Sequence, residues 1–171
     1  MTHPLDPKLS DELWVSWDDY HHKIEQLAVL IHQSQWTFDT IVCLARGGLR
    51  VGDILSRIYR KPLAVLSAQS YGGQGGRDRA AVQLSASLST TQTPIGPTIL
   101  LVDDLADSGA TLHESTQWLH QNYRENIESL RTATLWCKGC STVMPDYYVE
   151  LLPHNPWIHQ PFEDYETFKF E

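Results

Sequence analysis

The segment Thr98-Ile99-Leu100-Leu101-Val102 followed at once by Asp103-Asp104 constrains this chain more than any other. An uncharged, mostly aliphatic run of this kind suits a strand buried on both faces, as in parallel sheets covered by helices on either side. Such a strand delivers its two terminal carboxylates to the carboxyl edge of the sheet, where open α/β sheets bind their ligands. A third acid, Asp107, follows, and then Ser108-Gly109-Ala110-Thr111 lead into a helix. Small side chains there leave consecutive backbone N–H groups free to face an anion, and the helix dipole and the Ser108 and Thr111 hydroxyls add to the pocket. That pocket suits a phosphomonoester. Carboxylates repel phosphate, so Asp103 and Asp104 make sense as partners of sugar hydroxyls, either directly or through a hard divalent cation and its waters. The combination fits a ribose 5-phosphate. Asp, Ser and Gly also build plain turns and helix caps, but here strand, acids and Ser-Gly-Ala-Thr form one continuous signature.

The rest of the pattern supplies the sheet. Trp17, Tyr20, Ile24, Leu27, Ala28 and Ile31 recur at helical spacing behind a Ser16-x-x-Asp19 cap. Thr40 to Ala45 reads as a second buried strand, ending in Arg46-Gly47-Gly48 before a helix over Val51 to Tyr59. Further strands are expected over 62–68, 130–136 and 147–152, with a half-exposed antiparallel strand or arm over 80–88 and a helix from the polar loop 103–111 to about Tyr123. This order predicts an α/β fold with a mainly parallel, twisted sheet flanked by helices. Arg46 and the N–H groups of Gly47 and Gly48 offer a second anion grip at the same edge of the sheet.

At 171 residues the chain is one domain's worth of core. With 13 Lys+Arg against 21 Asp+Glu, a net charge of -8 argues against nucleic acid and anionic membranes as partners. No apolar run is long enough to span a bilayer, and the first residues lack the basic and apolar regions of a leader, so a cytoplasmic protein is expected. Cys43, Cys137 and Cys140 do not suggest a disulfide framework, and Cys137-x-x-Cys140 is half of a zinc pattern without its second half.

On the segment Ile99 to Thr111, the loop Phe38 to Leu49 and the tail Leu151 to Phe162, the chain resembles the type I phosphoribosyltransferases, in particular the bacterial xanthine-guanine and hypoxanthine-guanine enzymes. The resemblance implies a core over about 14–152, a small C-terminal base-binding hood over about 153–171 and a flexible lid over about 70–93. It implies transfer of phosphoribose from phosphoribosyl pyrophosphate (PRPP) to a 6-oxopurine (guanine, xanthine or hypoxanthine), in purine salvage, with Mg²⁺ as cofactor and a homodimer or homotetramer as the assembly. A non-catalytic PRPP or nucleotide sensor of the same fold, or an enzyme for a different nucleobase, is the alternative. Residue by residue, Arg46, Gly47 and Gly48 would grip pyrophosphate, with a cis peptide at Ala45-Arg46. Asp103 and Asp104 would hold the ribose hydroxyls and the metal shell. Asp107 would be the general base at purine N7, and Ser108, Gly109, Ala110 and Thr111 would bind the 5-phosphate. Lys138 would bond the purine O6, Trp157 would stack on the base, and the Trp157-Ile158 backbone would meet its 2-position edge. Two departures stand out. Glu163-Asp164 replaces a single Asp after the stacking Trp, which leaves the 2-position contact open. The lid candidate, with Ser70, Tyr71, Arg77 and Arg79, is unusually rich in glycine; its arginines either touch pyrophosphate or remain solvated.

Overall fold

The computed structural model describes residues 12–71 and 81–170. In chain order the elements are β1 (Glu12–Trp14), α1 (Trp17–Gln33), β2 (Thr40–Ala45), α2 (Gly48–Tyr59), β3 (Leu63–Tyr71), β4 (Ala81–Leu84), β5 (Thr98–Val102), β6 (Leu105–Ala106), α3 (Ala110–Asn122), β7 (Ser129–Lys138), β8 (Tyr147–Leu152), β9 (Trp157–His159) and a final 3₁₀ turn (Glu163–Thr167). The main sheet runs β4-β3-β2-β5-β7-β6, with β8 on the other edge of β7. Every pairing in it is parallel except β3 with β4.

Alternation explains why the buried strands read as unbroken apolar runs. Ile41, Cys43, Leu100 and Val102 pack on one face with Tyr20, Ile24 and Leu27 of α1 and Val51 and Leu55 of α2. Val42, Leu44, Ile99 and Leu101 pack on the other face with Leu112 and Leu119 of α3. Both faces are covered, so no polar side of the strand is needed. Ser16 caps α1 as the spacing predicts, its hydroxyl accepting from the Asp19 N–H at 3.1 Å.

The structure departs from expectation in several places. Helix α2 begins at Gly48 rather than Val51, because Gly47 and Gly48 already belong to its first turn. β7 extends to Lys138, so this lysine ends a strand instead of following one. Within the lid expected over about 70–93, Ser70 and Tyr71 are in β3, residues 81–84 pair with it, and Ser89 bridges Val65. Arg77 and Arg79 lie outside the described residues. The polar loop 103–111 contains β6, paired with Trp136 and Cys137 of β7. Trp14 is 69% exposed and belongs to a small second sheet in which β1 pairs in parallel with β9. Among the described residues no helix is long and apolar enough to cross a membrane.

Candidate active site

The acidic pair is held by the sheet itself. Val102 faces Ala133 and Leu105 faces Trp136, so two residues on each strand lie between the two contacts and the register passes unchanged through Asp103-Asp104. The Asp103 N–H donates to the Ala133 carbonyl at 3.1 Å, and the Asp104 carbonyl accepts from Leu135 and Trp136. Burial raises both carboxyl groups above the usual carboxylate range, and the charge of Asp104 pushes Asp103 higher still. Among the described residues neither forms an ion pair with Lys, Arg or His. Two uncompensated carboxylates in a half-buried position are a costly arrangement, relieved by hydroxyl donors or a hard cation. No cluster of three or more protein ligands surrounds them among the described residues, so a cation there would need oxygens from a bound substrate.

The turn after β2 lies against this pair. A side chain at Gly47 would put Cβ 2.4 Å from Asp104 Oδ1, and one at Gly48 would put it 2.6 Å from the Val102 carbonyl oxygen. Only glycine lets the two loops approach this closely. The Ala45-Arg46 peptide is cis, as the resemblance implies. Arg46 extends into solvent and its guanidinium lies 3.6 Å from Glu166 of the 3₁₀ turn. Beside it a cavity of about 630 Å³ is lined by Ala45, Arg46, Ser67, Gln69, Gln83 and Ser85 among others.

The loop after β6 is braced from β7. Gly109 has φ +82°, and a Cβ there would lie 2.7 Å from both Ser141 Oγ and the Val143 nitrogen. Thr142 donates to the Ser108 carbonyl through its N–H at 3.0 Å and its hydroxyl at 2.9 Å. Ser108 Oγ accepts from the Ala110 N–H at 3.3 Å, and the first turn of α3, whose N–H groups have no partner within the helix, begins here at Ala110 and Thr111. Ser141 and Thr142 were not legible in the sequence, since a Ser-Thr pair after a strand carries no positional signal of its own.

Lys138 is 6% exposed and its Nζ lies 3.1 Å from Asp107 Oδ1, whose side chain is 60% exposed. A buried ammonium with one carboxylate partner retains further N–H donors. The result is one donor and one acceptor side by side at the edge of the loop that leads into α3. Cys140 is exposed and Cys137 buried, both free thiols.

Trp157 is 65% exposed while Ile158, next to it, is 6% exposed. Strand β9, which carries both, is held by β1, where the Trp14 ring stacks on His159 with centroids 3.7 Å apart. Gln160, buried just beyond, donates from Nε2 to Asp104 Oδ2 at 3.2 Å and so joins this strand to the acidic pair. Glu163 is partly buried, and its charge is among the influences raising Asp104; Asp164 is exposed. The β1–β9 pairing, Gln160 and Glu166 escaped sequence reasoning because three-residue strands and single long-range contacts leave no periodicity to read.

A strand that ends in two acids, a braced loop leading into a helix and a glycine turn pressed against the acids are the frame in which the family is recognised. The phosphoribosyl transferase domain model matches residues 16–167, and the chain belongs to this family, as a type I phosphoribosyltransferase, an enzyme that transfers a pentosyl group. It is 28% identical over 153 residues to a xanthine-guanine phosphoribosyltransferase of Idiomarina loihiensis, covering 89% of this chain and 87% of that one. Among solved structures it is similar to a purine phosphoribosyltransferase from Pyrococcus horikoshii, at 26% identity and TM-score 0.70, over 89% of this chain and 94% of that one. The fold is also that of the Helicobacter pylori xanthine-guanine-hypoxanthine enzyme, at 19% identity and TM-score 0.71, over 92% of this chain and 99% of that one.

Proposed function

We propose that this phosphoribosyltransferase moves the 5-phosphoribosyl group of PRPP onto a 6-oxopurine, releasing pyrophosphate and forming the nucleoside 5'-monophosphate. The observation that carries the reading is the Lys138–Asp107 pair at 3.1 Å. An ammonium donor beside a carboxylate acceptor is the complement of a purine edge presenting O6 and N7–H. Adenine, which offers an amino donor at position 6, would face the ammonium of Lys138 and leave it without an acceptor.

In this reading Ser108, Gly109, Ala110 and Thr111 hold the 5-phosphate with N–H groups and hydroxyls at the start of α3. Asp103 and Asp104 take the ribose hydroxyls. They also suit Mg²⁺ arriving with PRPP, being hard oxygen ligands raised by burial and without a cationic partner. Mg²⁺, when bound, supplies charge neutralisation for the departing pyrophosphate. Arg46 and the N–H groups of Gly47 and Gly48 bind that pyrophosphate as the C1–O bond breaks, and Arg46 must exchange Glu166 for it. N9 of the base attacks C1 as the ribose gains oxocarbenium character, and Asp107 accepts the N7 proton. Lys138 donates to O6, Trp157 stacks on the ring, and Trp157-Ile158 backbone meets the 2-position edge.

The test supplies PRPP and Mg²⁺ with guanine, xanthine or hypoxanthine and measures pyrophosphate and nucleoside monophosphate. Stoichiometric formation of both is expected. A protein that binds PRPP yet turns over no nucleobase would be a sensor, and the proposal would fall.

A further inference from the structure

We propose that Gln160 is a positioning residue that orients Asp104 for the cation–PRPP end of the site, tying the strand of the base hood to the acidic pair. The inference rests on the function proposed above.

Three observations carry it. Gln160 is only 6% exposed, and its Nε2 donates to Asp104 Oδ2 at 3.2 Å across 56 residues of sequence. Its own Oε1 is buried and has no hydrogen-bond partner among the described residues. The side chain is also firmly rooted. Pro161 is buried, and the following Phe162 meets Tyr20 edge-on at 5.8 Å and lies under the Arg50 guanidinium at 4.4 Å. Tyr20 itself is fully buried within reach of the Asp104 charge.

The chemistry of an amide explains the choice of residue. A Lys or Arg in this place would bind Asp104 more strongly but would neutralise the charge that a cation needs. Glutamine holds one carboxylate oxygen by a charge-assisted hydrogen bond and leaves the negative charge intact. Its second polar atom is an acceptor, complementary to an O–H donor beside Asp104. Either a ribose hydroxyl or a water carried by the cation supplies that chemistry. An unsatisfied buried acceptor is costly, so a ligand that fills it is favoured by Gln160 twice, through Asp104 and directly. Because Gln160 directly follows the short strand that carries Trp157 and Ile158, its side chain links the hood's position to the acidic pair.

The experiment is calorimetric titration of PRPP into the full chain, with saturating Mg²⁺ and with a chelator in its place, for wild type, Q160M, D104N and the double variant. Methionine keeps the length and removes the amide. Q160M is expected to lose about tenfold in affinity with Mg²⁺, while affinity in chelator stays within about twofold of wild type. A loss seen equally in both buffers instead means that Oε1 serves the ribose hydroxyl alone, and it overturns the cation-directed role. D104N should remove the Mg²⁺-dependent gain, and adding Q160M to it should cost nothing further. Additive losses, or no loss in Q160M, overturn the proposal. Thermal unfolding of each variant establishes that it is folded. If Q160M does not fold, Q160N, one methylene too short to reach Asp104, takes its place with the same expectations. A wild-type chain that binds PRPP in neither buffer overturns the parent reading and this inference with it, a result distinct from any variant effect.

Discussion

The two halves of the candidate site are built in opposite ways. The acidic pair and anion loop come from thirteen consecutive residues, Ile99 to Thr111, and hang on the central strands by unbroken register with β7. The hood comes from the two ends of the described chain, where three residues of β1 pair with three of β9. One half is buried, carries uncompensated charge and is closed to side chains at Gly47, Gly48 and Gly109. The other presents two exposed tryptophans, Trp14 and Trp157, and a ring stack of Trp14 on His159 beside the strand pairing. If, as proposed above, the first half holds the charged sugar phosphate and the second covers a neutral base, the two halves divide the work of recognition. Changes in the first should act on chemistry and PRPP, changes in the second on the base.

The largest effect is expected at the junction. Asp107→Ala should lower kcat about 10²- to 10³-fold with PRPP affinity retained, measured by steady-state kinetics and calorimetry together. An equal loss of PRPP affinity would mean that Asp107 holds the loop rather than the proton. Next comes Gly47→Ala, whose Cβ must displace Asp104 Oδ1 from a 2.4 Å approach. It should cost about tenfold or more in kcat/KM for PRPP, and a kinetically silent variant would show that Asp104 need not stay where it is. In the hood, Trp14→Ala removes the stack on His159 and should raise KM for the base roughly two- to tenfold, in line with the energy of one aromatic pair, leaving KM for PRPP unchanged. A matching rise for PRPP would erase the division between the halves.

The smallest effect concerns stability. Asp103 has its folded-state pKa raised above the ordinary 3.8 by burial and by Asp104. The folded state therefore holds this proton more tightly than the unfolded state, and stability declines as pH rises from about 4 through the raised value. Asp103→Asn removes that decline. Its Tm should exceed wild type at pH 7, by roughly 2–4 °C per kcal/mol gained, and approach wild type near pH 4, while turnover is lost. A lower Tm at pH 7 would show that the carboxylate stabilises the loop. Saturating Mg²⁺ and PRPP should shrink the gap by stabilising wild type.

The same contrast decides what could be read before the structure. The strands β2 and β5, the cap at Ser16 and the run Asp103 to Thr111 were legible because periodicity, burial and chemistry coincide within a dozen residues. The cis Ala45-Arg46 peptide followed from resemblance to a family, not from spacing, while the Lys138–Asp107 ion pair was not foreseen at all. The β1–β9 sheet, Gln160 on Asp104 and Thr142 on the Ser108 carbonyl depend on contacts across 34 to 145 positions. No local propensity encodes such contacts; tertiary packing selects them. Trp14 is another such case, an exposed ring stacked on one imidazole 145 positions away in sequence.

The most direct measurement of the central claim is the ratio of initial pyrophosphate-release rates with guanine and with adenine, at equal concentrations under saturating PRPP and Mg²⁺. Lys138, buried and donating only, predicts a ratio of about 10² or more in favour of guanine, because adenine leaves the ammonium without an acceptor. A ratio near one, or a preference for adenine, would contradict the assignment of this site to 6-oxopurines.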